Sequence, residues 1–174
     1  DLSTGYKENI LKKKNIIFIK GDCANEMILN KINKIKFDTI FHIAGQSSGE
    51  ISFDSPKNDL NRNLLSTIAL AQFAIKYRVR KFIYASSMSV YGDLKKNKLQ
   101  AHESSSCNPL SFYGLSKITS EKYIKIFSHM GLNYTILRLF NVYGPNQNLK
   151  NLRQGMISIY LAQLLKSNKI IIKG

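Results

Sequence analysis

Short apolar segments alternate along this chain with longer segments that carry an amphipathic helical pattern. The pattern predicts strands at residues 15–20, 38–44, 81–86, 134–140 and 170–173, and helices at residues 25–33, 57–77, 111–130 and 153–167. Continuously apolar strands separated by helices are typical of a parallel sheet with both faces covered. The alternation therefore predicts a doubly wound α/β fold.

Small and polar residues follow the predicted strands, where the carboxyl ends of parallel strands meet. These segments are Gly21-Asp22 and residues 44–48, 86–89 and 141–145. In open α/β sheets, ligands bind beyond this edge. The sequence therefore predicts a binding site there, with the polar loop at about residues 92–110 lying over it.

A tyrosine followed four residues later by a lysine occurs three times, at Tyr77/Lys81, Tyr91/Lys95 and Tyr113/Lys117. The first pair spans a helix–strand junction and the second is interrupted by Gly92. Tyr113 instead opens a long helical pattern, so Lys117 follows it by one turn on the same face. Only this third pair has the spacing and the helical setting for contact.

The chemistry of such a pair is proton transfer. A tyrosine loses its proton near pH 10, and lowering that pKa to near 7 requires about 4 kcal/mol of differential stabilisation. A neighbouring cation such as the Lys117 ammonium favours the phenolate. We therefore expect Tyr113 to act as a base, with the serine cluster at residues 86–89 close by.

Composition narrows the class of protein. A length of 174 residues with 44% apolar residues predicts one ordinary core. The formal charge of +15 is spread over scattered lysines, and the clusters at residues 12–14 and 95–98 fall in predicted loops. A solvated basic surface is favoured over nucleic-acid binding.

The two cysteines, Cys23 and Cys107, are too few for a disulfide framework and indicate a cytoplasmic protein. No apolar run approaches the roughly 20 residues that span a bilayer, so no membrane segment is predicted. The histidines form no cluster with cysteine or acidic residues at ligand spacing, so no metal site is predicted.

Four motifs occur in order along the chain: HIAGQSS at residues 42–48, SSMSVYG at 86–92, YGLSK at 113–117 and LFNVYGP at 139–145. Together they resemble the extended short-chain dehydrogenase/reductase family, specifically its NAD-dependent sugar-nucleotide epimerases. The resemblance covers nearly the whole chain. It implies a Rossmann-like fold, NAD as cofactor and a nucleotide-sugar substrate.

The glycine-rich turn that holds the cofactor pyrophosphate in this family has no counterpart here. The chain is therefore expected to be a piece of a longer protein, called the parent protein below. Residues 1–145 would form part of the dinucleotide-binding domain, and residues 146–174 would begin the sugar-nucleotide-binding portion. Alone, the piece is expected to bind NAD weakly or not at all.

By the resemblance, Ser87, Tyr113 and Lys117 form the catalytic set. Tyr113 would remove the C4 hydroxyl proton while the C4 hydride moves to NAD+, giving a 4-keto sugar, and Ser87 would hold the reacting oxygen. The cofactor contacts implied are Asp1, Asp22, Cys23, Ile43, Ala44, Gly45, Gln46, Ser47, Asn63, Tyr113, Lys117 and Phe140. The substrate contacts implied are Ser87, Ser89, Tyr113, Asn141 and Gln154.

Related dehydratases and decarboxylases place an acid directly after the catalytic serine or threonine, whereas Met88 and Ser89 follow Ser87 here. This favours epimerisation of the UDP-glucose/UDP-galactose type. A 4-keto-sugar reductase, a CDP-sugar epimerase, a dehydratase and an inactive nucleotide-binding module stay open as alternatives. The resemblance also implies a homodimer formed through helices 57–77 and 111–130.

Overall fold

The computed structural model describes residues 1–94 and 100–172. The chain forms two compact units: Cys23–Phe140 is one, and Asp1–Asp22 together with Asn141–Gly174 is the other. The predicted domain boundary after residue 145 remains a prediction. The predicted lysine-rich segment at 95–98 lies outside the described residues, as does residue 173.

The larger unit contains a three-stranded parallel sheet. Its strands are β1 (Thr39–His42), β2 (Lys81–Ser87) and β3 (Tyr134–Leu139), in the order β1-β2-β3. Strand β2 is therefore central, and its residue Tyr84 pairs with His42 on one side and with Ile136 on the other. The predicted strands at 38–44, 81–86 and 134–140 are confirmed.

The helices are α1 (Glu26–Ile32), α2 (Gly49–Asp54), α3 (Pro56–Leu60), α4 (Ser66–Lys76), α5 (Phe112–Ser128) and α6 (Met156–Ser167). A π-helical turn at Asn61–Leu65 joins α3 to α4, and short 3-10 helices cover Lys7–Asn9 and Met88–Val90. All four predicted helices are confirmed. The helix predicted at 57–77 consists of α3, the π-helical turn and α4. Helix α2 was not predicted. Among the described residues, no helix has the length and apolar character needed to cross a membrane.

The predicted strands at 15–20 and 170–173 are wrong for the residues that the structure describes. Neither 15–20 nor 170–172 forms a strand, and Ile17 and Ile172 are exposed. A strand exists only where a neighbour pairs its N–H and C=O groups. An apolar run predicts a buried, extended segment, but it carries no information about whether a partner strand is available.

The core lies between one face of the sheet and helices α4 and α5. Phe82 and Tyr84 of β2 are fully buried there, against Ala71 of α4 and Ile124 of α5. The helices pack against each other as well as against the sheet. This packing fixes α5, which carries Tyr113 and Lys117, over the carboxyl end of β2.

Candidate active site

Strand β2 ends at Ser87, where the chain turns into the 3-10 helix Met88–Val90. The Ser87 hydroxyl accepts a hydrogen bond from the Ser89 backbone N–H and donates to the Ser89 hydroxyl, both at 3.2 Å. Ser87 is buried and Ser89 is half-buried. The turn therefore holds both hydroxyls at the carboxyl end of the central strand, which is the predicted edge for ligand binding.

Helix α5 begins directly against this serine turn. The Ser111 hydroxyl caps the helix by accepting a 3.1 Å hydrogen bond from the Gly114 N–H. The backbone at Gly114 lies so close to the Ser89 carbonyl oxygen that a Cβ at that position would collide with it. The absence of a side chain at Gly114 thus allows Tyr113 to lie beside Ser87.

The structure brings Ser87, Tyr113 and Lys117 together, as the sequence predicts. Tyr113 is buried, and Ser87 lies close enough to lower the pKa of its phenol. Lys117 is only 4% exposed, and its Nζ donates a 2.9 Å hydrogen bond to the Ala85 carbonyl oxygen. The same Nζ lies 5.7 Å from the centre of the Tyr113 ring and 4.9 Å from that of Tyr84. A cation therefore lies one helical turn from the phenol.

Burial has opposite effects on the two groups, because it penalises the charged form of each. It lowers the pKa of Lys117 to about 8, an effect that the charge of Asp59 partly offsets. Burial raises the pKa of Tyr113, the neighbouring Ser87 lowers it, and the charge of Asp59 raises it further. The expected lowering of the Tyr113 pKa is therefore not produced by these side chains alone.

A buried carboxylate that sequence reasoning missed lies next to this set. Asp59 of α3 is 0% exposed, and its oxygens accept hydrogen bonds from Gln46 Nε2 and Asn63 Nδ2 at 3.0 Å and from the Ser116 hydroxyl at 2.6 Å. Its pKa is raised by burial, which outweighs the opposing effect of these donors. The available signal was an acid in the predicted helix 57–77, one turn before Asn63.

The loop after β1 exposes most of the residues that the resemblance assigned to the cofactor. Ile43, Ala44, Gly45 and Ser47 are exposed, whereas the side chain of Gln46 turns inward and donates to the Ser48 carbonyl oxygen at 2.7 Å. Four of the five residues of this loop that the resemblance assigned to the cofactor are therefore exposed.

The side chain of Asn63 lies against Gly45 of this loop. It is 1% exposed, and its Oδ1 has no hydrogen-bond partner among the described residues. Gly45 has a φ of +156°, and a Cβ there would collide with this oxygen. A buried acceptor without a partner is costly, so an accessible glycine beside it fits a ligand that donates a hydrogen bond. The residues present therefore fit NAD.

The remaining predicted contacts divide between the two units. Phe140 is exposed and Cys23 is half-buried, and both belong to the larger unit. The other four belong to the smaller unit: Asp1, Asp22, Asn141 and Gln154. Their roles remain predictions. In the part of the chain that the structure describes, no three His, Cys, Asp or Glu side chains are grouped as a metal site would require.

An ion pair between a partly buried arginine and a buried glutamate supports the site from the sheet. Arg138 of β3 pairs with Glu121 of α5 at 2.8 Å, and Glu121 also accepts a 2.6 Å hydrogen bond from the Ser86 hydroxyl. The Arg138 guanidinium lies 4.9 Å from the centre of the Tyr91 ring, just beyond the serine turn. The pKa of Arg138 is raised by its hydrogen bonds with Glu121. Glu121 therefore connects the ends of β2 and β3 to α5 through Ser86 and Arg138.

A serine at the end of a central parallel strand, beside a buried tyrosine that has a lysine one turn further along its helix, defines a site of the extended short-chain dehydrogenase/reductase class. Residues 2–174 match the family model described as the NAD dependent epimerase/dehydratase family. The chain belongs to this family.

Comparison with individual proteins also places the chain in this family. A Methanocaldococcus jannaschii protein, named provisionally as a UDP-glucose 4-epimerase, is 38% identical over 176 residues, which cover 100% of this chain and 56% of that protein. The crystal structure of a Thermotoga maritima UDP-glucose 4-epimerase with UDP-glucose is 32% identical with a TM-score of 0.90, covering 99% of this chain and 56% of that one.

A Methanobrevibacter ruminantium UDP-N-acetylglucosamine 4-epimerase, in complex with UDP-N-acetylmuramic acid, is 31% identical with a TM-score of 0.90. The match again covers 99% of this chain and 56% of that one. The chain therefore spans about half the length of the relatives it matches.

Proposed function

We propose that the parent protein is an NAD-dependent epimerase that inverts C4 of a UDP-linked hexose, of the UDP-glucose/UDP-galactose type. The observation that carries this proposal is the buried set of Ser87, Tyr113 and Lys117 at the carboxyl end of β2. Similarity to 4-epimerases over the whole chain supports it.

In this proposal Tyr113, as the phenolate, accepts the proton of the C4 hydroxyl, and Ser87 holds the reacting oxygen by a hydrogen bond. NAD+, when bound, supplies a reversible acceptor for the C4 hydride and a positive charge near the phenol. Lys117 adds its ammonium charge from the same helix. Return of the hydride to the opposite face of the 4-keto sugar, with the proton from Tyr113, completes epimerisation.

The residues after Ser87 favour epimerisation over loss of water. Elimination of a hydroxyl group needs an acid to protonate it, and the two following residues are Met88 and Ser89. Met88 is exposed at the turn and carries no proton to donate. Epimerisation needs only the serine, the tyrosine, the lysine and the cofactor.

We propose Ser89, Asn141 and Gln154 as further substrate contacts, with Ser89 at the hexose and Asn141 at the phosphates. The proposed role of Ser89 is supported by its 3.2 Å hydrogen bond with Ser87. The similar proteins act on UDP-glucose and on UDP-N-acetylglucosamine by their names. Both UDP-galactose and UDP-N-acetylgalactosamine, the 4-epimers of these two sugar nucleotides, are therefore tested as substrates.

The test uses the parent protein with UDP-galactose deuterated at C4 and no added NAD. We expect UDP-glucose that retains deuterium at C4, because the same hydride leaves and returns. UDP-N-acetylgalactosamine is assayed in parallel to define the sugar. Consumption of free NADPH would instead indicate a reductase, loss of water would indicate a dehydratase, and loss of deuterium to solvent would exclude the proposed route.

We also propose that the parent protein is a homodimer formed through residues 57–77 and helix α5, with the outer face of α5 buried in the interface. Leu115 and Ile126 are exposed on one stripe of this helix, at helical spacing, and Met130 is exposed just beyond its end. The Ile126→Glu variant should elute as a monomer in size-exclusion chromatography with light scattering. The exposed Lys125→Glu control should remain dimeric, and a dimeric Ile126→Glu variant would contradict this interface.

For the compartment, we propose the cytoplasm. Two cysteines in 174 residues support a reducing environment. Fractionation of the source cells tests this, and recovery of the parent protein outside the cytoplasm would contradict it.

A further inference from the structure

The carboxylate of Asp59 joins three separate elements of the larger unit. Gln46 from the loop after β1, Asn63 from the π turn and Ser116 from α5 all donate hydrogen bonds to its two oxygens. Each donor is itself buried. A carboxylate accepts hydrogen bonds at both oxygens, which an alkyl side chain cannot do.

Placing a carboxylate in this position has a cost that ordinary packing would avoid. Burying a charge without compensation is strongly unfavourable, and a well-packed apolar residue is often the more stable choice. Asp59 is 0% exposed and makes none of the contacts assigned to the proposed reaction. Its presence therefore calls for a role beyond packing.

The hydrogen-bond partners of Asp59 are sequence neighbours of residues in both halves of the proposed site, the acid–base residues of α5 and the cofactor loop. Ser116 directly precedes Lys117 on α5 and lies three residues after Tyr113. Gln46 directly follows Gly45, in the loop that fits the cofactor. One carboxylate thus joins the helix that carries the acid–base residues to the loop that would carry NAD.

We propose that Asp59 is a positioning residue: its carboxylate holds the start of α5 against the cofactor loop through Ser116 and Gln46, and so sets the distance between Tyr113 and the bound substrate and cofactor. The inference rests on the proposed function. It assigns to Asp59 no contact with the substrate or with NAD.

The charge of Asp59 adds an electrostatic consequence. The titratable groups around Lys117 are Asp59 of α3, His42 of β1, Tyr84 of β2 and Tyr113 of its own helix. Of these, Asp59 raises the pKa of Lys117 and also that of Tyr113. Removing its charge should therefore shift both limbs of a pH–activity profile to lower pH.

The experiment compares Asp59→Ala and Asp59→Asn with Asp38→Asn in the parent protein. Asp38 pairs with Arg80 at an exposed position and is the matched control for loss of a carboxylate. We expect Asp59→Ala to lower kcat by about tenfold to a hundredfold with little change in KM, as for a misplaced catalytic group. Asp59→Asn should retain more activity, with its pH profile moved to lower pH. Asp38→Asn should match the wild type in both measurements.

A double-mutant cycle separates positioning from general destabilisation. If Asp59 acts through Ser116, the kcat of the Asp59→Ala/Ser116→Ala double variant should be close to that of Asp59→Ala, because the shared hydrogen bond is lost only once. Fully additive losses in kcat would contradict the proposed connection. Wild-type kcat and an unshifted pH profile in the Asp59 variants would overturn the inference.

Hydrogen exchange supplies a readout that does not depend on activity. In Asp59→Ala, amides at residues 44–47 and 113–117 should exchange about tenfold faster, whereas those of Asp38→Asn should not change. Unchanged exchange at both segments would overturn the positioning role whatever reaction the parent protein catalyses. If the wild type fails to epimerise, the proposed function fails while the exchange result still decides the role of Asp59.

Discussion

Lys117 donates its side-chain hydrogen bond to the carbonyl oxygen of Ala85, two residues before Ser87 on β2, at 2.9 Å. This bond fixes the ammonium at the end of the central strand rather than letting it extend into solvent. It also anchors α5 to β2 within two residues of the serine turn. The position of the Tyr113 phenol therefore depends on sheet and helix together.

The first prediction concerns the alkaline limb of activity. Because burial lowers the pKa of Lys117 to about 8, its ammonium is present below that pH and is lost as the pH rises through it. We expect kcat of the parent protein to fall as the pH rises through about 8. Steady-state assays across this range provide the measurement, and Lys125→Met is the control for an exposed lysine on the same helix. A kcat that stays constant up to about pH 10 would contradict the assignment.

The second prediction concerns acid stability. His42 is buried, and burial, followed by the charge of Lys117, lowers its pKa from 6.5 to about 3. Between these values the unfolded state binds the extra proton, so stability is lost as the pH falls from about 6.5 towards 3, at about 1.4 kcal/mol for each pH unit. Urea unfolding at several pH values should show this slope in the wild type and a shallower one in His42→Phe. The exposed His129→Phe control should keep the wild-type slope.

The third prediction concerns the ion pair between the buried Glu121 and the partly buried Arg138. Removing the arginine leaves the buried Glu121 carboxylate uncompensated, so Arg138→Ala should lower the free energy of unfolding by about 3–5 kcal/mol. Asp38→Ala, which breaks the exposed pair with Arg80, should cost no more than about 1 kcal/mol. Chemical denaturation measures both. Equal losses in the two variants would show that the pair does not hold the strands to α5 as described.

The fourth prediction compares alanine substitutions at two glycines, Gly45 and Gly131, that both have positive φ. A Cβ at Gly45 would collide with Asn63 Oδ1, whereas a Cβ at Gly131 meets nothing within 4 Å. Alanine at either position should cost about 1–2 kcal/mol of stability because of its backbone conformation. Only Gly45→Ala should also weaken NAD binding, since it displaces Asn63. Calorimetric titration of the parent protein with NAD provides the comparison, and equal affinity in the two variants would exclude the loop from the cofactor site.

The sequence predicts the three paired strands and the long helices because their apolar periodicity reports burial directly. It fails at residues 15–20 and 170–172, because strand formation depends on a partner that an apolar run does not specify. It also misses α2, a helix of six residues that is too short for a periodic pattern and is marked mainly by the Ser48 cap.

In the site, too, the sequence predicts relationships within one helix but not those between distant segments. Tyr113 and Lys117 share a helix, so their spacing alone predicts that they lie one turn apart. Asp59 and Ser116 are 57 residues apart, and no local pattern relates them. The pKa of Tyr113 also depends on tertiary burial, which is why its direction differs from the one that the pair alone suggested.

The most direct test of the account replaces the phenol. In the parent protein, Tyr113→Phe removes the proton acceptor without changing the helix, so conversion of UDP-galactose to UDP-glucose should fall by at least about 100-fold. Tyr123→Phe, on the exposed side of the same helix, should leave conversion at the wild-type level. Circular dichroism and the unfolding midpoint confirm that both variants are folded. Wild-type conversion by folded Tyr113→Phe would contradict the central claim that this phenol exchanges the proton of the sugar.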